Sequence, residues 1–151
     1  MKLEDAIKSN KFKDNKHKAI LNLMYTNYWL KTKMSAVLKE HSLTPEQYNV
    51  LRILKGKHPE AMCVRDIGSR MIEKSSNVPR IVDRLVAKKL TKRTTSKEDK
   101  RETLISLTET GIEILSAATK DSDDLGTNLT GLSEEEATLL NELLEKMRIE
   151  D

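Results

Sequence analysis

The sequence predicts a mainly α-helical chain carrying one β-hairpin, and three observations predict it. Apolar residues recur three and four positions apart along most of the 151 residues. Cap signals, two of them of the Ser/Thr-x-x-Glu/Gln kind, mark where helices begin. After Leu90 the pattern changes to two short β-branched runs separated by a charged turn. A composition with 34% charged and 37% hydrophobic residues, and only one Phe, one Trp and three Tyr, suits a solvated helical protein with a modest core.

From about Lys16 to Glu40, Leu23, Leu30, Met34, Val37 and Leu38 fall at helical spacing, with Ile20, Met24 and Tyr28 on an adjoining strip. This is one long amphipathic helix whose broad apolar surface predicts more than one neighbour. Leu43-Thr44-Pro45-Glu46-Gln47-Tyr48 then announces a second helix. Thr44 stands at the N-cap, Pro45 at the first helical position and Gln47 at the capping-box position, while Leu43 and Tyr48 can form the staple. That helix carries Val50, Leu51, Ile53 and Leu54 and stops near Gly56 and Pro59. A short helix follows from Val64 to about Met71.

Lys74-Ser75-Ser76-Asn77 opens the next helix, through Val78, Ile81, Val82, Leu85 and Val86 to about Lys89. Pro79 inside a helix costs about 3 kcal/mol. With Ser75 or Ser76 as N-cap, Pro79 lies in the first turn, where its missing N–H has no partner to lose. Leu90–Thr95 and Thr103–Leu107 read as strands, and Ser96–Glu102 as the charged turn between them, with a basic tip. Thr108 caps a helix carrying Ile114, Leu115, Ala118, Leu125 and Leu129, its end obscured by Gly126 and the Asp121–Asp124 stretch. Ser133 and Glu136 form a second capping box before a last helix with Leu140, Leu143, Leu144 and Met147 on one stripe.

Charge is segregated along this frame. Val64–Arg101 holds 12 Lys+Arg against 5 Asp+Glu, a balance of +7, whereas Glu102–Asp151 holds 3 against 13, or −10. A basic middle joined to an acidic tail suits a nucleic-acid-facing module attached to a region that makes no contact. Two short helices, a third helix and a basic hairpin make a winged helix-turn-helix. A helix fits the major groove of duplex DNA, and a hairpin tip reaches the adjacent minor groove. Ser75, Ser76 and Asn77 offer hydrogen bonds to base edges or phosphates, and Arg80 and Arg84 share the exposed face. The plainer reading of the two arginines is a solvated face with Asp83 as ion-pair partner. Lys88, Lys89, Lys92 and Arg93 are expected to lie toward the DNA backbone.

Asp99-Lys100-Arg101 followed by Leu107-Thr108-Glu109-Thr110-Gly111 resembles the wing signature of the multiple-antibiotic-resistance regulator (MarR) family, D-x-R and then L-T-x-x-G. Ser75 to Leu85 is similar to that family's recognition helix, and Leu43 to Leu51 to the start of its second helix. The resemblance implies about six helices and a two-stranded wing, with the N- and C-terminal helices interlocked in a homodimer. Residues 1–42 and 111–151 would then form the dimerisation region around a DNA-binding region at 43–110. It implies a palindromic operator and, as its usual use, a repressor released by a small-molecule effector. By position, Arg101 is the residue that enters the minor groove, with Asp99 holding it and Lys97 and Lys100 beside it. An arginine at a hairpin tip independently suits a narrow, negative groove. Two positions depart from the family: Lys89 stands where glycine commonly ends the recognition helix, and Pro79 replaces a small polar residue.

Tyr25, Tyr28, Trp29 and Tyr48 are candidates for an effector cleft between the long helix and the DNA-binding lobe, or else pack that junction. Cys63 lies outside the first helix, where redox-sensing relatives carry their reactive thiol, and reads as a small buried residue. His17, His41 and His58 have no ligand spacing, so no metal and no cofactor is expected. No nucleophile motif, glycine-rich phosphate loop or carboxylate pair points to an enzyme. Without a signal-peptide core or a membrane-length apolar run, the expected location is the cytoplasm. The second reading, from a different class, is a winged-helix adaptor module that binds protein rather than an operator.

Overall fold

The computed structural model describes residues 1–74 and 77–148, with the backbone alone given for 126–130. Its elements run α1 (Leu3–Ile7), α2 (Asn15–Glu40), α3 (Pro45–Lys57), β1 (Met62–Cys63), α4 (Val64–Arg70) and α5 (Val78–Ala87). β2 (Thr91–Thr95), β3 (Thr103–Leu107), α6 (Glu109–Thr130) and α7 (Glu134–Met147) complete them.

Local chemistry sets most of the boundaries. The Asp14 side chain accepts the His17 N–H at 2.7 Å and starts α2. Thr44 and Gln47 satisfy each other's backbone N–H groups at the start of α3, as Ser133 and Glu136 do at α7. Thr108 accepts the Gly111 N–H at 3.0 Å and starts α6, which runs through Gly126 and ends where Gly131 turns left-handed. α2 ends in a Schellman turn. Ser42 is left-handed with φ of 56°, its N–H reaches the Lys39 carbonyl, and the Leu43 N–H reaches that of Leu38. Leu38 and Leu43, both buried, make the apolar contact that accompanies such turns.

The core gathers Leu38, Val50, Leu51, Leu54, Ile67, Val82, Leu85 and Ile105, all essentially without solvent exposure. α5 contributes Val78 and, three, four and seven residues on, Ile81, Val82 and Leu85, a stripe that seats the helix and leaves its other face outside. α2 and α6 pack together and are pinned by a 2.7 Å contact between His41 Nε2 and Asp121 Oδ2.

The structure corrects three expectations about architecture. The sheet has three antiparallel strands rather than two, in the order β1-β3-β2, with Met62 opposite Ile105 and Thr91 opposite Leu107. Two residues, both buried, carry no alternation that could announce β1. Seven helices are present among the described residues rather than six, because five-residue α1 docks on α2 through buried Leu3 and a 2.5 Å Glu4–Lys18 ion pair. Lastly, α5 begins at Val78 with Asn77 in the N-cap position; Ser75 and Ser76, the expected caps, lie outside the described residues, as does the Leu129 side chain. Pro79 nevertheless occupies the first turn, where it does no harm.

The two terminal regions are underused within one chain. α7 buries none of its residues, and α2 buries only Leu38. Ile20, Leu23, Met24, Tyr28 and Leu30 on α2, and Leu139, Leu140, Leu143 and Met147 on α7, are all exposed. Among the described residues no helix is long and apolar enough to cross a membrane.

Candidate nucleic-acid interface

α5 turns Arg80 and Arg84 to solvent on the face opposite its buried stripe. Asp83 does not pair with either of them. It is held by Arg93 of β2, which ties the outer face of α5 to the first wing strand. Among the described residues, Arg80 and Arg84 have no carboxylate partner, so both guanidinium groups stand free in water. Asn77 is exposed at the start of the helix, whereas Ser75 and Ser76 lie outside the described residues.

α5 ends in a Schellman turn in which Lys89 N–H bonds the Val86 carbonyl and Leu90 N–H that of Leu85. Lys89 takes the left-handed place with φ of 60°, where glycine fits best. Lys88, although exposed, is not the free cation toward the DNA backbone that the sequence suggested. Its ammonium donates to the Ser42 carbonyl at 2.5 Å and to Gln47 Oε1 at 2.9 Å.

The wing is a built turn, not a slack loop. Buried Ser96 accepts the N–H groups of Glu98 and Asp99 on its Oγ, each at 3.3 Å. Backbone bonds from Ser96 to Glu102 and from Glu102 to Asp99 close it, and Asp99 Oδ1 accepts the Arg101 N–H at 2.9 Å. Lys97, Lys100 and Arg101 project from this frame, exposed and without carboxylate partners among the described residues.

At the wing's base the L-T-x-x-G run has a physical reason. Thr108 donates its hydroxyl to the Lys89 carbonyl at 2.8 Å and its N–H to the Leu90 carbonyl at 3.1 Å. Its Oγ also accepts from Gly111. A Cβ at Gly111 would stand 2.0 Å from the Leu90 carbonyl oxygen, so only glycine lets α6 approach that closely. The end of α5, the exit of the wing and the start of α6 are thereby locked into one corner.

The family model described as transcriptional regulator SarA/Rot matches residues 32–118. The HTH-type transcriptional regulator MhqR of Bacillus subtilis is 31% identical over 117 residues, 76% of this chain and 78% of that protein. The chain belongs to the MarR family of winged-helix transcriptional regulators. A Staphylococcus aureus MepR–DNA complex aligns with a TM-score of 0.74 at 28% identity, covering 83% of this chain and 91% of that one. A MarR-like regulator from Bacillus cereus shares the fold with a TM-score of 0.77 at 21% identity, covering 88% of this chain and 95% of that one. As a member of the MarR family, this protein is a DNA-binding regulator of transcription.

The four aromatic residues expected to share one cleft are divided among three surroundings in this MarR fold. Tyr25 and Trp29 line a recess with Leu3 and Asn22, under α1. Tyr28 is 68% exposed on the outer face of α2. Tyr48 instead donates to Thr119 Oγ1 at 3.2 Å and accepts from Arg52 at 3.0 Å, with the Arg52 guanidinium over its ring. The cleft that does lie between α2, α3 and the segment after α4 holds about 310 Å³ and is lined by Leu30, Met34, Pro45, Asn49, Met71 and Ile72. Lys31 and Glu73 meet at its edge at 2.5 Å, and the Glu73 hydrogen bond and charge hold the Lys31 ammonium above the usual lysine range. Helical spacing exposed Leu30 and Met34 as apolar in the sequence, but nothing local says that residues 71–73 face them.

Proposed function

We propose that the protein is a homodimeric repressor that grips a palindromic operator and lets go when a small, mostly apolar effector enters the cleft beside Lys31 and Glu73. The observation that carries operator binding is the set of unpaired cations on two adjoining elements, Arg80 and Arg84 on α5 and Lys97, Lys100 and Arg101 on the wing. Cations with no internal partner are available to phosphates and base edges without first breaking a bond. In this reading Ser75, Ser76, Asn77, Arg80 and Arg84 read the major groove. Arg101 enters the minor groove, steadied by Asp99 and flanked by Lys97 and Lys100.

The exposed apolar stripes of α2 and α7 support the homodimer, because a second copy would remove both from water and place two recognition helices on one face of the duplex. Residues 1–42 and 111–151 then serve dimerisation, and 43–110 serve DNA, in the cytoplasm where the operator lies. The cleft supports effector release. The Lys31–Glu73 pair joins α2 to the segment leading into α5, so a ligand that parts them reaches the recognition helix directly.

The test is selection of a random-sequence duplex library by the purified protein, followed by titration of the enriched DNA at several salt concentrations beside Arg101→Ala. A palindrome bound saturably, more weakly as salt rises and much more weakly by the variant, is the expected result. Enrichment of no sequence would leave the adaptor reading in its place. Compounds that release the enriched DNA from the wild type, but not from a Met34→Trp protein with a filled cleft, would identify the effector class.

A further inference from the structure

We infer that Lys88 is a positioning residue, one that fixes the recognition helix against the end of the dimerisation helix and governs operator affinity without touching DNA. The inference rests on the operator reading above. Lys88 is the C-cap of α5, and its exposed side chain donates to two acceptors of the same chain, the Ser42 carbonyl and Gln47 Oε1. Ser42 is the left-handed residue that closes α2. Gln47 is buried in the first turn of α3, where its Oε1 also accepts the Thr44 N–H at 3.3 Å. One side chain thus joins α5, the α2–α3 turn and α3.

The electrostatics favour that place. α2 and α5 both bring their C-terminal ends to this corner, and each end carries the negative partial charge of its helix dipole. An ammonium lying between the two is attracted to both, in addition to its two hydrogen bonds. A lysine used this way gives up the rotamer freedom that a phosphate-seeking lysine keeps until DNA arrives. The consequence is geometric. α2 bears the exposed apolar stripe and α5 bears Arg80 and Arg84, so the angle between them sets the separation of the two recognition helices across a dimer.

The experiment compares wild type, Lys88→Gln, Gln47→Leu and the double variant on two DNAs over a range of salt. The first DNA is the palindrome that the wild type enriches from a random duplex library, and the second is an unrelated duplex of equal length. Each single variant should bind the palindrome about tenfold more weakly. The unrelated duplex should be bound as before, the salt slope should be unchanged, and the double variant should be no worse than either single. A phosphate contact would instead remove about one unit from the salt slope and weaken both DNAs alike. That result, additive losses, or no loss at all would overturn the inference while leaving the operator reading intact. Failure of the wild type to enrich any palindrome would overturn both. Thermal melts check folding, and Lys88→Arg replaces Lys88→Gln if the latter does not fold. Arginine would restore full affinity at a phosphate but not at two acceptors spaced for an ammonium.

Discussion

Asp99 accepts the backbone N–H of Arg101 at 2.9 Å, so the acid of the wing tip holds the arginine's main chain and leaves its guanidinium free. A salt bridge between the two side chains would have neutralised the charge that the wing presents. The acid therefore orients without quenching, and the two residues of the D-x-R run contribute separately.

Those separate contributions predict different losses. Arg101→Ala should weaken operator binding by about 1–3 kcal/mol, or roughly five- to 150-fold, with the salt slope reduced by about one unit. Asp99→Ala keeps the cation and frees the turn, so the loss should be smaller and the slope unchanged. Both should melt within about 0.5 kcal/mol of wild type, since neither side chain is buried. Equal slopes in both variants would show that Arg101 makes no ionic contact.

Lys89 holds a left-handed backbone at the end of α5, at a cost of about 1 kcal/mol relative to glycine. Lys89→Gly should raise the melting temperature by roughly 3 °C for a chain of this size. A lower melting temperature in that variant would mean that the Lys89 side chain stabilises the corner by more than its backbone strain.

Gly111→Ala should do the opposite and on a larger scale. The added methyl would lie 2.0 Å from a backbone oxygen that cannot rotate away. Separation of α6 from the Leu90 corner is expected to cost about 3 kcal/mol or more. Denaturant unfolding would measure it, and a change below about 0.5 kcal/mol would show that the corner yields easily.

Leu143→Glu places a charge in the middle of the α7 stripe, where Leu143 is half exposed in the single chain. Stability of an isolated chain should change little, but a dimer that buries this stripe should fall apart. Sedimentation velocity should report a monomer, and operator binding should drop with it. A variant that sediments as the wild type does would exclude α7 from the dimer contact.

What the sequence by itself determined is the set of features whose partners lie within a few residues. The Thr44–Gln47 and Ser133–Glu136 boxes, the Thr108 cap and the two long wing strands were all legible, because each is satisfied three or four positions along the chain or across a short hairpin. The exposed cations of α5 and the wing were legible for a related reason. Helical period separates Arg80 and Arg84 from Val78, Ile81, Val82 and Leu85, and a short charged turn leaves Lys97, Lys100 and Arg101 in water.

Only the tertiary structure decided where distant groups meet. Strand β1 exists because β3 offers Met62 and Cys63 an unpaired edge, not because two residues prefer to be extended. Tyr25 and Tyr48 sit on helices whose crossing sends them to different surroundings, so aromatic content alone could not build a cleft. Lys88 reads as one more cation in a basic stretch until the ends of α2 and α5 are brought together around it. A hydrogen bond across more than forty residues depends on the packing angle of whole helices, and that angle comes from the buried core rather than from any local run of sequence.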